Sequence, residues 1–192
     1  MSRSRRLLAL HGYSQNAEIF REKTSAVRKH LRKDEIEVVC AEAPWVLDND
    51  QVHGQDKEGM LLRAWWKFSD TNDIQSELIG VDESIHQIGQ VIENEGPFEG
   101  ILGFSQGAIL AGMLCAMNTS KPLPCFSSIK YVVLANAFLP NQLLESHFAP
   151  FVGPTPEKIR IPSWHMYGEK DKLVSVDQVK ELANIFENPT LY

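Results

Sequence analysis

One stretch limits the folds open to this chain more than any other. The apolar run Gly100-Ile101-Leu102-Gly103-Phe104 passes without a spacer into Ser105-Gln106-Gly107-Ala108-Ile109-Leu110-Ala111, which reads as a helix. This is the G-x-S-x-G pattern of a nucleophile elbow. In an elbow a strand turns into a helix so sharply that the serine between them is held in a strained backbone conformation. The two backbones nearly touch, so the flanking positions must lack bulk. Gly103 and Gly107 meet that need, and Ala108, Ala111 and Gly112 continue a small face along the helix. The turn lifts the Ser105 hydroxyl off the sheet edge. It also aims the Gln106 N–H at the helix N-terminus, where a developing oxyanion is stabilised.

The rest of the chain supplies the sheet such an elbow requires. Arg6 to Leu10 reads as a buried strand closed by His11-Gly12, followed by Tyr13-Ser14-Gln15-Asn16 with Asn16 as a helix N-cap. One helix is expected from there to about Lys33, with Phe20, Val27 and Leu31 inward, and then a second strand from Ile36 to Ala41. Residues 46–63 are polar and aperiodic. Asp48-Asn49-Asp50 begins like a calcium loop, but Val52 and the lack of Glu at loop position 12 leave a solvated loop with His53 in it. Of Trp65 and Trp66, at most one need be core, and the other is free to line a pocket or pack at the surface. A helix from Ser76 carries Leu78, Val81, Ile85, Ile88 and Ile92 at three- and four-residue steps, with His86 beside that face at the surface. Ile129–Ala135 and Ile161–Tyr167 read as further strands, separated by a long proline-rich connection, and a last helix runs from about Val176 to Phe186. The alternation predicts one α/β domain over residues 1–192, a mostly parallel sheet with helices on both faces. Ligand sites in such sheets lie at the carboxyl ends of strands, where His11-Gly12-Tyr13, Ser105 and Asp171 all fall.

Charge and cysteine usage exclude several classes. A formal net charge of −6 argues against nucleic acid and anionic membranes as partners, and no run is long enough for membrane insertion. Cys40, Cys115 and Cys125 are odd in number with no C-x-x-C spacing, which fits free thiols in a reducing, cytoplasmic setting, with Cys40 and Cys115 in core elements.

Four motifs together resemble the α/β-hydrolase superfamily, and within it the FSH group, the "family of serine hydrolases". They are Leu8-Ala9-Leu10-His11-Gly12-Tyr13-Ser14-Gln15-Asn16, Ala41-Glu42-Ala43-Pro44, Gly103-Phe104-Ser105-Gln106-Gly107-Ala108, and Ile161 through Asp171. The resemblance implies an α/β-hydrolase fold and a serine hydrolase cleaving a small-molecule carboxylic ester or thioester through an acyl-serine intermediate. Ser105 would be the nucleophile, Asp171 the acid that orients a histidine, and the N–H groups of Tyr13 and Gln106 the oxyanion hole. The chemistry requires no cofactor and no metal.

Two departures qualify that expectation. Ala135-Asn136-Ala137-Phe138 stands where the family commonly carries Ser-Gly, which is expected to reshape a pocket wall. The second departure concerns the base, which should follow the acid in chain order. All six histidines, His11, His30, His53, His86, His147 and His165, precede Asp171. The family's last strand, its histidine turn and the final helix are therefore expected to be absent, the domain to be C-terminally incomplete, and this chain to be an impaired enzyme. The alternative is a non-catalytic binding module that keeps the fold and the pocket.

Overall fold

The computed structural model describes residues 5–48, 60–69 and 77–192. The elements run β1 (Arg5–Leu10), α1 (Ala17–Lys23), α2 (Ser25–Lys33) and β2 (Ile36–Ala41). Four two-residue strands follow: β3 (Trp45–Val46), β4 (Arg63–Ala64), β5 (Lys67–Phe68) and β6 (Leu78–Ile79). Then come α3 (Val81–Glu95), β7 (Gly100–Phe104), α4 (Gln106–Ser120), β8 (Tyr131–Ala135) and the single turn α5 (Asn141–Leu143). The chain closes with β9 (Ser163–Met166), α6 (Val176–Ala183) and β10 (Pro189–Leu191).

Six strands form one parallel sheet in the order β10-β9-β8-β7-β1-β2. The chain leaves β1 toward one edge and later leaves β7 toward the other. The carboxyl ends of these two neighbours therefore frame the crevice where loops diverge. The short strands pair as two antiparallel ribbons, β3 with β4 and β5 with β6. Among the described residues no helix is long and apolar enough to cross a membrane.

Register sorts the side chains into two faces, because in-register neighbours point the same way. Leu8, Leu10, Ile101, Val132, Leu134 and His165 share one face and are fully buried. There α4 passes over the sheet at Gly112 and Leu134, its small residues permitting close approach. The opposite face is covered around β1, where Phe20 of α1 stacks on Phe104 with ring centroids 6.4 Å apart. Farther along it, Tyr131, Val133 and Trp164 stay half-buried, and Met166 is 45% exposed. Tyr131 and Trp164 meet edge to face there.

The elements depart from the sequence reading in four places. The helix expected to run unbroken to Lys33 divides at Thr24, whose hydroxyl donates to the Phe20 carbonyl at 2.7 Å and diverts the ladder. Its second half, α2, has no buried residue, and Val27, expected to face inward, is 51% exposed. The helix expected from Ser76 begins at Val81, after Gly80 at φ 92°, and Leu78 sits in β6 instead. Residues 189–191, expected to stop short of a last strand, form one, β10, by pairing with Ser163–His165 of β9. The suggested calcium loop and His53 lie outside the described residues apart from Asp48. Both tryptophans are buried, where one was expected to suffice. Cys115 is buried too, which pushes its thiol up to about 12, whereas Cys40, on the outermost strand, is only half-buried.

Leu134 lies fully buried on the central strand β8, so Leu134→Ala removes a side chain its surroundings cannot replace. Urea unfolding should show a loss of about 2–5 kcal/mol.

Candidate active site

The elbow forms as its glycines require. Ser105 caps α4 at φ 50°, ψ −118°, a conformation an L-residue rarely adopts. Its N–H donates to the Ala135 carbonyl at 2.8 Å, tying the turn to β8. A Cβ on Gly103 would lie 2.4 Å from Ala108 Cα, and one on Gly107 2.4 Å from the carbonyl oxygens of Leu10 and His11. The turn is thus wedged between its own helix and the end of β1. Among the described residues the Ser105 hydroxyl has no hydrogen-bond partner, and it opens into a pocket.

A buried network joins the elbow to the loop after β1. The Gln106 side chain accepts from Trp65 N–H at 2.8 Å and donates to the Trp66 carbonyl at 2.9 Å. Trp65 Nε1 donates to the His11 carbonyl at 2.8 Å, and the Ser84 hydroxyl of α3 donates to the Trp65 carbonyl. His11 Nε2 accepts from Ala43 N–H at 3.1 Å, which leaves Nδ1–H to donate to the Gly12 carbonyl at 2.8 Å. Gly12 N–H in turn donates to Gln15 Oε1. The loop bearing Tyr13 is therefore held from both sides. Sequence reasoning misses this scaffolding and finds only the backbone N–H of Gln106. A glutamine at a helix start facing two tryptophans far away in the chain leaves no local signal.

The pocket has a volume of 480 Å³, and Ser105, Gln106 and Tyr13 are among its lining residues. Trp66, Phe68, Leu78, Ile109 and Phe138 make its walls largely apolar, and Gln178 and Glu181 of α6 line it from the side. The structure thus brings three of the four expected site residues together. Asp171 does not line the pocket. Its Oδ1 accepts from Leu173 N–H at 2.7 Å and Val174 N–H at 3.0 Å, and its Oδ2 accepts from the Asn136 amide. The Val174 and Leu173 N–H groups, with Asn136 adding to them, hold this carboxyl below its ordinary range. Asn136 sits at φ 52° just past β8. The Asn136 segment therefore does more than reshape a wall: Phe138 lines the pocket, while Asn136 holds the Asp171 carboxylate.

Among the described histidines none reaches the pocket. His11 is committed to the network above. His165 is fully buried in β9, its Nε2 bonded to the Ser163 hydroxyl and its Nδ1 without a partner. His30 and His86 are exposed on α2 and α3, and His147 bonds the Ser146 hydroxyl. Burial pushes the His165 ring down to about 4, so it stays neutral across the neutral range.

Known proteins resemble this chain in sequence and in fold. The family model described as "Serine hydrolase (FSH1)" matches residues 1–192. The chain is 35% identical over 198 residues to "Esterase OVCA2" of Danio rerio, covering 95% of this chain and 84% of that one. It is 32% identical over 194 residues to "Esterase OVCA2" of Homo sapiens, covering 94% and 82%. Among solved structures, acyl-protein thioesterase 2 of Zea mays matches with a TM-score of 0.66 at 19% identity, over 100% of this chain and 84% of that one. Esterase PE8 matches with a TM-score of 0.64 at 16% identity, over 98% and 82%. At these identities the two structures speak for an α/β-hydrolase fold.

Two outcomes follow from the geometry. Gln106→Ala strands the buried Trp65 N–H and the Trp66 carbonyl, so urea unfolding should show a loss of about 2–3 kcal/mol with a shift in tryptophan emission. His165 binds a proton in the unfolded chain below its ordinary pKa of about 6.5, but in the folded protein only near 4. The unfolded state thus holds more protons between these values, and stability falls as pH drops through that window. In His165→Leu that part of the pH dependence should vanish when unfolding free energies at pH 7 and pH 4.5 are compared.

Proposed function

Because the chain belongs to the FSH1 family of serine hydrolases, we propose that Ser105 is the nucleophile of an esterase or thioesterase acting on small acyl substrates. The observation that carries this reading is the strained Ser105 lining a largely apolar pocket together with Gln106 and Tyr13. Ser105 Oγ attacks the acyl carbon, and its proton leaves with the alcohol or thiol. Charge collects on the former carbonyl oxygen, where the N–H groups of Gln106 and Tyr13 stabilise it. Water then cleaves the acyl-serine, releasing the acid and restoring the hydroxyl. The walls of Phe68, Leu78, Ile109 and Phe138 suit an apolar acyl chain. The free thiols of Cys40, Cys115 and Cys125 fit work in a reducing compartment such as the cytoplasm.

The proton acceptor is the weak point. Among the described residues no histidine contacts Asp171, and the Asn136 amide donates to one of its carboxylate oxygens. A serine without its base turns over on the order of a millionfold more slowly than one in a full triad. The Asn136 amide on the Asp171 carboxylate, with no described histidine lining the pocket, favours a second reading, a module that binds acyl compounds without cleaving them.

Fluorophosphonate labelling followed by peptide mapping tests the assignment. Modification should fall on Ser105, be abolished in Ser105→Ala, and accelerate when imidazole is added as an external base. Labelling of Ser105→Ala at the unmodified rate would remove Ser105 from the chemistry. An inert Ser105, even with imidazole, alongside saturable binding of a fatty acid, would leave the binding module.

A further inference from the structure

The outer edge of β2 is built to receive another strand. β2 ends the sheet, and the Arg5 N–H bond to the Glu35 carbonyl, 3.2 Å, sets the phase of its pairing with β1. In that phase residues 35, 37, 39 and 41 turn their backbone groups toward β1. The N–H and C=O groups of Ile36, Val38 and Cys40 therefore point outward from the sheet. Around this edge runs a groove of 870 Å³. Its lining includes the half-buried Ile36, Val38, Val39 and Cys40, and on α2 Val27, next in sequence to the lining residue Arg28, is 51% exposed. Exposed apolar edges of this kind are where chains pair.

Charge decides what fits. The groove is lined by four arginines and four glutamates, so an edge with no net charge interrupts the surface of a protein carrying −6. An acidic or a basic peptide would meet like charge along half of it, whereas a copy of the same edge carries both signs and no net charge. We propose that this edge is the interface of a symmetric homodimer, in which two β2 strands pair antiparallel about Val38. With the two-fold axis at Val38, Ile36 faces Cys40 of the second copy and Val38 faces its own counterpart. All three outward-pointing residues then fall into hydrogen-bonded pairs, giving about six backbone hydrogen bonds. The same register brings Arg21 and Arg28, the charges that act on Cys40, over the Glu35 end of the second copy. The two sheets would join into one, and each copy would present the same patch to the other. The proposal does not depend on the hydrolase reading, because the crevice at the ends of β1 and β7 lies away from this edge.

Sedimentation equilibrium of the unmodified chain should give twice the mass of 192 residues at micromolar concentration. Val38→Pro removes an N–H that bonds nothing within the sheet, which an edge strand tolerates. It should restore the single-chain mass without lowering the melting temperature of the separated subunits. Val38→Cys supplies a readout even if the proline variant does not fold. Across the axis, a hydrogen-bonded pair sits about 5.5 Å apart in Cα, within disulfide reach. Mild oxidation of Val38→Cys should therefore join the two introduced thiols, and mass spectrometry should find two copies of the position-38 peptide linked to each other. A monomeric unmodified chain, a dimer that survives Val38→Pro through the open Tyr131–Trp164 face or elsewhere, or no link between the two introduced thiols would each overturn the proposal.

Discussion

Two backbones come into contact at Gly103 and Gly107, and much of the molecule follows from that approach. A Cβ at either position would collide with main-chain atoms, at Gly103 with α4 itself and at Gly107 with the end of β1. Backbone cannot yield as a side-chain tip can, so strand, helix and neighbouring strand are locked at one distance. The strain at Ser105 persists because these contacts over-determine it. The same contacts set the depth at which α4 lies on the sheet, and so which residues of β8 it buries.

Around this rigid centre the polar interior is closely accounted for. Gln106, Ser84, His11 and the Trp65–Trp66 backbone satisfy one another with little left over. Buried networks of this kind are costly when incomplete and specify a single arrangement when complete. Here the arrangement holds the loop after β1 against the helix terminus, which any stabilisation of an oxyanion would need. Outside the pocket lining, Asp171 is held by its own turn and by Asn136, so its carboxylate is ordered without a histidine.

Much of this is legible in the sequence. G-x-S-x-G with its small flanking residues announces the elbow, because only a close backbone approach demands that pattern. The alternation of apolar runs and periodic segments implies the parallel sheet. Less legible is anything set by distance in the chain. Thr24 breaks a helix through a local side-chain bond that periodicity does not register, and the spacing of Leu78 matches a helix that it does not join. Both tryptophans are buried because Gln106 and the His11 carbonyl offer polar partners, contacts made across some forty to fifty residues. Val27 fits an inward helical face, yet α2 packs at the edge strand β2, where the sheet leaves Val27 51% exposed. Asn136 reads in the sequence as a matter of pocket shape, and only the placement of its amide against the acid shows otherwise.

The strand order has a further consequence. The crevice is assembled from the ends of β1, β7 and β8, the Trp66–Phe68 ribbon and α6, segments drawn from nearly the whole length of the chain. No fragment of the chain contains it, so it comes into being only once the full set of long-range pairings is made. A compound seated there grips all of these segments at once. Its binding energy would count toward the global unfolding transition and not toward the order of a single loop. A thermal-shift screen of small acyl compounds would therefore read the whole fold, even for a ligand that is never turned over.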